Sequence, residues 1–219
     1  LREDCVNNLL TSIRKYYPTI KIVIVDDSDK GYNFDYDENI KTYNIDFDSG
    51  LSKGRNYGVS KIETEYFLLL DDDFEMTEKT DLIGFMDLMI KSNLDILGAD
   101  VIMNDKKMEY FGKFKCENKV LTYIDEKHEV YDDYEVCDFI LNYFLAKTES
   151  IKECPWDDEL KLAEHTAFFF EYKGILKVGH TDLYSINHQK ILEGDYTEYR
   201  IRGQKFFNKW MHKKDITTT

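Results

Sequence analysis

Residues 66–74 read YFLLLDDDF: five apolar side chains in an unbroken run, then three carboxylates, then phenylalanine. A short continuous apolar run suits a strand covered on both faces, as in the middle of a parallel sheet. Three aspartates cannot stay buried without partners, so the run must open to solvent at its carboxyl end. Side chains alternate along a strand, so Asp71 and Asp73 should face one way and Asp72 the other. Two hard oxygen ligands facing one spot suit a divalent cation such as Mg or Mn. That end of a central strand is also where open α/β sheets bind ligands. An acidic turn leading into the next helix accounts for the triplet equally well.

The 219 residues, 42% of them hydrophobic, suit a single domain with an ordinary core. A formal net charge of -14 disfavours a nucleic-acid binder, which would carry a basic face. In so acidic a chain, a diphosphate ligand would need a metal ion and a few local cations. No run approaches the 18 or so apolar residues of a transmembrane helix, and no signal peptide is recognisable. Cys5, Cys116, Cys137 and Cys154 show no CxxC spacing, so neither a zinc knuckle nor a redox pair is indicated.

Outward from the triplet, helical spacing predicts an amphipathic helix over residues 1–17, ended by Pro18. No strand precedes it, as if the chain were cut just after a first strand. Residues 21–25, KIVIV, form a second buried strand that exits into Asp26 and Asp27, either an Asx turn or carboxylates for a base or ribose. Residues 50–56, GLSKGRN, open a helix whose glycines, Lys53 and Arg55 fit anion binding or a solvated first turn. A long apolar strand is expected over 139–146, with Asn142 its one strongly polar residue, and a helix over 156–170. Glu164 and His165 would lie inside that covered helix, where each must be paired or poised for proton transfer. His188 ends a strand over 177–188 and could be a third metal ligand; His180, early in the strand, is more ordinary. A final helix brings Tyr196, Tyr199, Arg200 and Arg202 together, and the chain should fray beyond Lys213.

Taken in order, VIVDDSD, GLSKGRN, YFLLLDDDF, NYFLAKT, WDDELKLAEHTAFFF and INHQK resemble the GT-A fold glycosyltransferases. The set is most similar to the ganglioside-type β-1,4-N-acetylgalactosaminyltransferases and their inverting, family-2-like relatives. The resemblance implies an α/β, Rossmann-like, mixed and mostly parallel sheet with helices on both faces, lacking its first strand. It implies transfer, with inversion, of a sugar such as an N-acetylhexosamine from a UDP-sugar to a saccharide hydroxyl, with Mn or Mg as cofactor. On the matching positions, Asp26, Asp27, Arg55 and Asp72 would bind the nucleotide side, and Asp71, Asp73 and His188 the metal. Glu164 and His165 fall on the pair that supplies the base, but His replaces the usual Asp and Ala167 stands where an acid is common. The base is therefore left open among Glu164, His165 and Asp157. Alternatives are a nucleotidyltransferase, which would want a glycine-rich phosphate loop; a phosphohydrolase, which would want a hydroxyl residue where Phe74-Glu75 stand; and a non-catalytic carbohydrate-binding relative.

Overall fold

The structure, a computed structural model, describes residues 2–124, 129–189 and 196–218, with side chains at 201 and beyond in the last stretch. In chain order the elements are α1 (Glu3–Tyr16), β1 (Ile22–Asp26), β2 (Ile40–Asn44), α2 (Leu51–Ser60), β3 (Tyr66–Leu69), β4 (Phe74–Glu75) and α3 (Leu82–Ser92). Next come β5 (Ile96–Met103), β6 (Lys106–Lys107), β7 (Lys113–Glu117), β8 (Val120–Ile124), β9 (Glu135–Cys137), β10 (Phe144–Lys147) and α4 (Thr148–Glu153). The chain closes with α5 (Glu164–Glu171), β11 (Val178–His188), α6 (Tyr196–Lys214) and β12 (Thr217–Thr218).

The main sheet runs β3-β10-β5-β11-β4, with β6 on β5 and β9 on β11. It is mixed: β5 and β11 are parallel, while β10 lies antiparallel to both its neighbours and β4 antiparallel to β11. Strand alternation divides the core between the two faces. Tyr143 and Leu145 pack with Leu9, Ile13, Phe85 and Met89 from α1 and α3. Phe144 and Ala146 face the other way, onto Val59, Ile151, Phe168 and Phe169 from α2, α4 and α5. Helices on both faces are thus required by the two apolar sides of one strand.

Five expectations need correction. β3 is not a covered central strand: among the described residues it pairs with β10 alone, and its four residues are all partly exposed. Among the described residues β1 pairs only with β2, in a separate parallel sheet. A cavity of 2330 Å³, lined by Ile22, Ile24, Phe67 and Leu69 among others, lies between the unpaired edges of β1 and β3 and runs on to the acidic strand ends. The apolar stretch 139–146 becomes strand only at Phe144, because the chain bends at Asn142. The helix expected over 156–170 is confined to α5; residues before it turn, and Ala163 sits at φ 60, in the left-handed region. The chain end does not fray at Lys213, since β12 adds in parallel to β8.

Candidate active site

The aspartate triplet is a turn, not a strand, because β3 ends at Leu69. Alternation therefore does not govern it, and the three carboxylates part differently from expectation. Asp71 turns toward β10 and α2: Asn142 Nδ2 donates to it at 3.0 Å, and Arg55 Nη2 lies at 3.4 Å. Asp72 and Asp73 turn toward α1, where Arg2 pairs with Asp72 and donates to Asp73 Oδ2 at 3.2 Å.

His188 meets Asp73 through strand pairing. It lies opposite Phe74 in the β11–β4 ladder, and Gln189 N donates to the Asp73 carbonyl at 2.7 Å. Its Nδ1 lies 2.8 Å from the Gln189 carbonyl, which can only accept, so Nδ1 carries the proton. In a neutral ring Nε2 is then the lone-pair nitrogen, and it stands 3.6 Å from Asp73 Oδ2. Two ligands at 2.0–2.2 Å from one cation can be separated by that distance. The other Asp73 oxygen, Oδ1, is buried with no hydrogen-bond partner. Burial holds the Asp73 carboxyl above the usual carboxylate range; His188 and Arg2 oppose this, while Asp72 and Asp71 add to it. A carboxylate with one orphaned oxygen, beside an imidazole nitrogen, fits a divalent cation, and the guanidinium of Arg2 now supplies positive charge there. Asp71 does not join them: among the described residues, no three His, Cys, Asp or Glu side chains converge closely enough to hold a metal.

Arg55 organises the next layer. It is 8% exposed, pairs with the buried Glu164 and reaches Asp71, and its guanidinium stands over Trp156 at 5.7 Å. Asn56 fixes this arrangement, bonding the Trp156 backbone in both directions. His165 is half-buried, its Nε2 against the Ile140 carbonyl. Burial and the Arg55 charge push its pKa down to about 4, so the ring is neutral at pH 7. Asp157 is elsewhere: its carboxylate accepts from Glu159 N at 3.0 Å and faces Lys213 at 3.9 Å.

Asp26 and Asp27 line the cleft, but their oxygens already serve the loops. Asp26 accepts from Ser28 and Tyr32 backbone amides, and Asp27 accepts from Gly50 N at 2.9 Å. Leu51 N is likewise used, by the Lys161 carbonyl, so the start of α2 offers fewer free amides than the glycines suggested. Gly50 is needed there: it sits at φ 91, with Lys161 Cα only 2.5 Å from where a Cβ would be. Arg202 does reach this rim, with Nη2 at 2.8 Å from both oxygens of Asp48, a carboxylate that Lys161 also holds. The Arg200 side chain lies outside the described residues, as do those of Tyr196 and Tyr199. Lys53 is exposed. His180 is structural, stacked on Phe111 at 4.0 Å and paired with Asp100 at 3.0 Å. Sequence reasoning did not anticipate Asp48, Lys161, Tyr123 or Thr166 in this cleft; Asn142 it noticed only as an isolated polar residue.

Residues 2–154 match the family described as Glycosyl transferase family 2. The chain is 32% identical over 204 residues to beta-1,4 N-acetylgalactosaminyltransferase 1 of Mus musculus, covering 86% of this chain and 37% of that one. It is 31% identical over 213 residues to beta-1,4 N-acetylgalactosaminyltransferase 2 of Mus musculus, covering 91% of this chain and 42% of that one. The chain thus spans about two fifths of these curated relatives. Among solved structures, S. aureus TarS in complex with UDP-GlcNAc superposes at a TM-score of 0.62 and 16% identity, over 88% of this chain and 57% of that one. GalNAc-T7 with UDP, GalNAc and Mn2+ superposes at 0.63 and 14%, over 88% of this chain and 42% of that one. The fold is accordingly GT-A, and the chain belongs to glycosyl transferase family 2.

Proposed function

We propose that this chain carries the catalytic site of a metal-dependent, inverting glycosyltransferase that moves a sugar, an N-acetylhexosamine, from a UDP-sugar to a saccharide hydroxyl. The observation that carries this reading is Asp73 at the mouth of a large cleft: a buried carboxylate whose Oδ1 has no hydrogen-bond partner and whose Oδ2 stands 3.6 Å from His188 Nε2. The names of the relatives, and the UDP, UDP-GlcNAc and Mn2+ in structures of the same fold, support the donor and the metal.

In this reading Asp73 and His188 hold Mn or Mg, with Asp71 and Asp72 shaping the donor side. The bound cation supplies Lewis acidity and neutralises charge on the diphosphate leaving group. Arg55, Lys161 and Arg202 are cations that line the cleft, and each is now balanced by a carboxylate. A diphosphate can draw them away from Asp71 and Asp48, so donor binding is an exchange of anions around fixed cations. Asp26 and Asp27 keep their loops in shape beside the nucleoside.

The acceptor hydroxyl needs a base. His165 is held in place, its Nε2 committed to a backbone carbonyl. Asp157 faces Lys213 instead of the cleft. Glu164 remains: among the described residues its ion partner is Arg55, whose shift onto the donor diphosphate would free the carboxylate to accept the proton.

The test is UDP release from a panel of UDP-sugars with Mn2+, followed with wild type, Glu164→Gln and His165→Ala. A positioned base is worth roughly 10²–10⁴-fold, so E164Q should lose at least 10²-fold in turnover while H165A retains most of its rate. Near-normal rates for both variants would move the base elsewhere. No release from any UDP-sugar by the wild type, despite UDP binding, would favour a non-catalytic relative.

A further inference from the structure

We propose that Tyr123 is the platform on which the acceptor saccharide stacks; this rests on the glycosyl-transfer reading above. Tyr123 lies on β8, and its side chain is 41% exposed in a wall of the cleft shared with Arg55, Asp71 and Asn142. Large aromatic side chains usually lose most of their surface on folding, as Tyr143 does at 0% exposure.

The exposed ring is held in place. Its hydroxyl is 3.2 Å from Thr166 Oγ1, and the Tyr110 hydroxyl approaches the same oxygen at 3.0 Å. Behind it the ring packs edge-on against Phe139, with centroids 5.5 Å apart at 89°, and against Phe114 at 5.6 Å and 62°. A fixed aromatic surface loses little conformational freedom when a ligand lands on it, so its apolar area converts efficiently to affinity. A pyranose offers the complement: C–H groups on one face, hydroxyls at its edge.

The location gives the platform its purpose. Thr166, which anchors the ring, lies two residues after Glu164 in α5, the residue assigned above as the base. A sugar lying on Tyr123 is thereby referenced to the same helix that carries the proton acceptor. The β7–β8 hairpin is tied into the fold by β12 on its other edge, so the platform sits on a supported element.

The test uses Tyr123→Leu, which keeps apolar bulk without a ring, and Tyr123→Phe, which keeps the ring without the hydroxyl. The probes are methyl β-D-glucopyranoside and methyl β-D-galactopyranoside, observed by saturation-transfer NMR with the donor site filled by UDP and Mn2+. At least one glycoside should bind the wild type. Its affinity should fall about tenfold or more in Y123L and stay within about threefold in Y123F, while calorimetric affinity for UDP and the thermal midpoint of each variant remain those of the wild type. Equal glycoside affinity in wild type and Y123L overturns the platform, as does a wild type that transfers no saturation to either glycoside. A fall in glycoside affinity matched by a fall in UDP affinity or in thermal midpoint also overturns it, since Tyr123 would then be structural. Failure of the wild type to bind UDP with Mn2+ is a separate result, and it counts against the glycosyl-transfer reading itself.

Discussion

Asparagine at position 73 separates the metal's contribution from the protein's own balance of charge. Asp73 is buried, and one of its oxygens is unpartnered. A carboxyl whose pKa is raised by folding favours the native state at low pH; that advantage is lost as pH rises past its unfolded value toward its folded one. At pH 7.5 the metal-free wild type therefore bears a buried charge that Asp73→Asn removes at nearly constant shape. Its ion pair with Arg2, a residue 44% exposed, is worth little in return. The variant without metal should melt at or above the wild type. With Mn2+ at about 100 times its dissociation constant, the wild type gains about 2.7 kcal/mol. For a chain of this length, at roughly 2–4 °C per kcal/mol, the midpoint should rise by roughly 5–11 °C. D73N should show no such rise in a thermal melt read by circular dichroism. A Mn2+-dependent rise of similar size in D73N would refute the assignment, as would a wild type whose midpoint ignores Mn2+.

Other consequences follow from the same geometry. His165 has a folded pKa near 4 against about 6.5 unfolded, so the unfolded chain takes up the proton first and stability falls as pH drops from 6.5 to 4. The loss should reach about 3 kcal/mol and should largely vanish in His165→Gln; parallel pH profiles from urea unfolding would contradict it. Glu164→Ala leaves the Arg55 guanidinium buried with, among the described residues, the more distant Asp71 as its carboxylate, and should cost about 3 kcal/mol, toward the low end for a broken buried pair. A loss below about 1 kcal/mol in urea would show the pair to be dispensable. The cleft between β1 and β3 should accept one more strand, hydrogen-bonded on both edges. Joining a five-residue Val/Ile segment ahead of Arg2 should raise the thermal midpoint, whereas a Gly/Ser segment of equal length should not; equal midpoints would argue against a strand slot.

Both halves of the proposed metal site could be read from the sequence. YFLLL and its aspartates mark one strand end, and INH marks another, because apolar runs that stop at ionisable residues must surface there. What the sequence hid is local backbone geometry. β3 ends at Leu69, one residue before its apolar run does, so alternation assigned Asp71 a direction it does not take. Residues 156–163 carry helically spaced apolar side chains, yet Ala163 adopts a left-handed conformation that its residue type does not announce. Glu164 consequently opens α5 instead of lying within a longer helix. The antiparallel insertion of β10 was invisible as well, since FLAK reads the same in either direction relative to its neighbours. Tyr123 and Thr166 come from segments 43 residues apart, joined only by tertiary folding.

The most direct trial of the metal centre is calorimetry of UDP binding with and without Mn2+, in wild type and in His188→Ala. Binding to the wild type should require the metal, and H188A should lose most of that metal-dependent affinity, because Nε2 is the nitrogen that completes the pair with Asp73. UDP that binds the wild type equally well in a chelator, or H188A that keeps the full manganese response, would contradict the account.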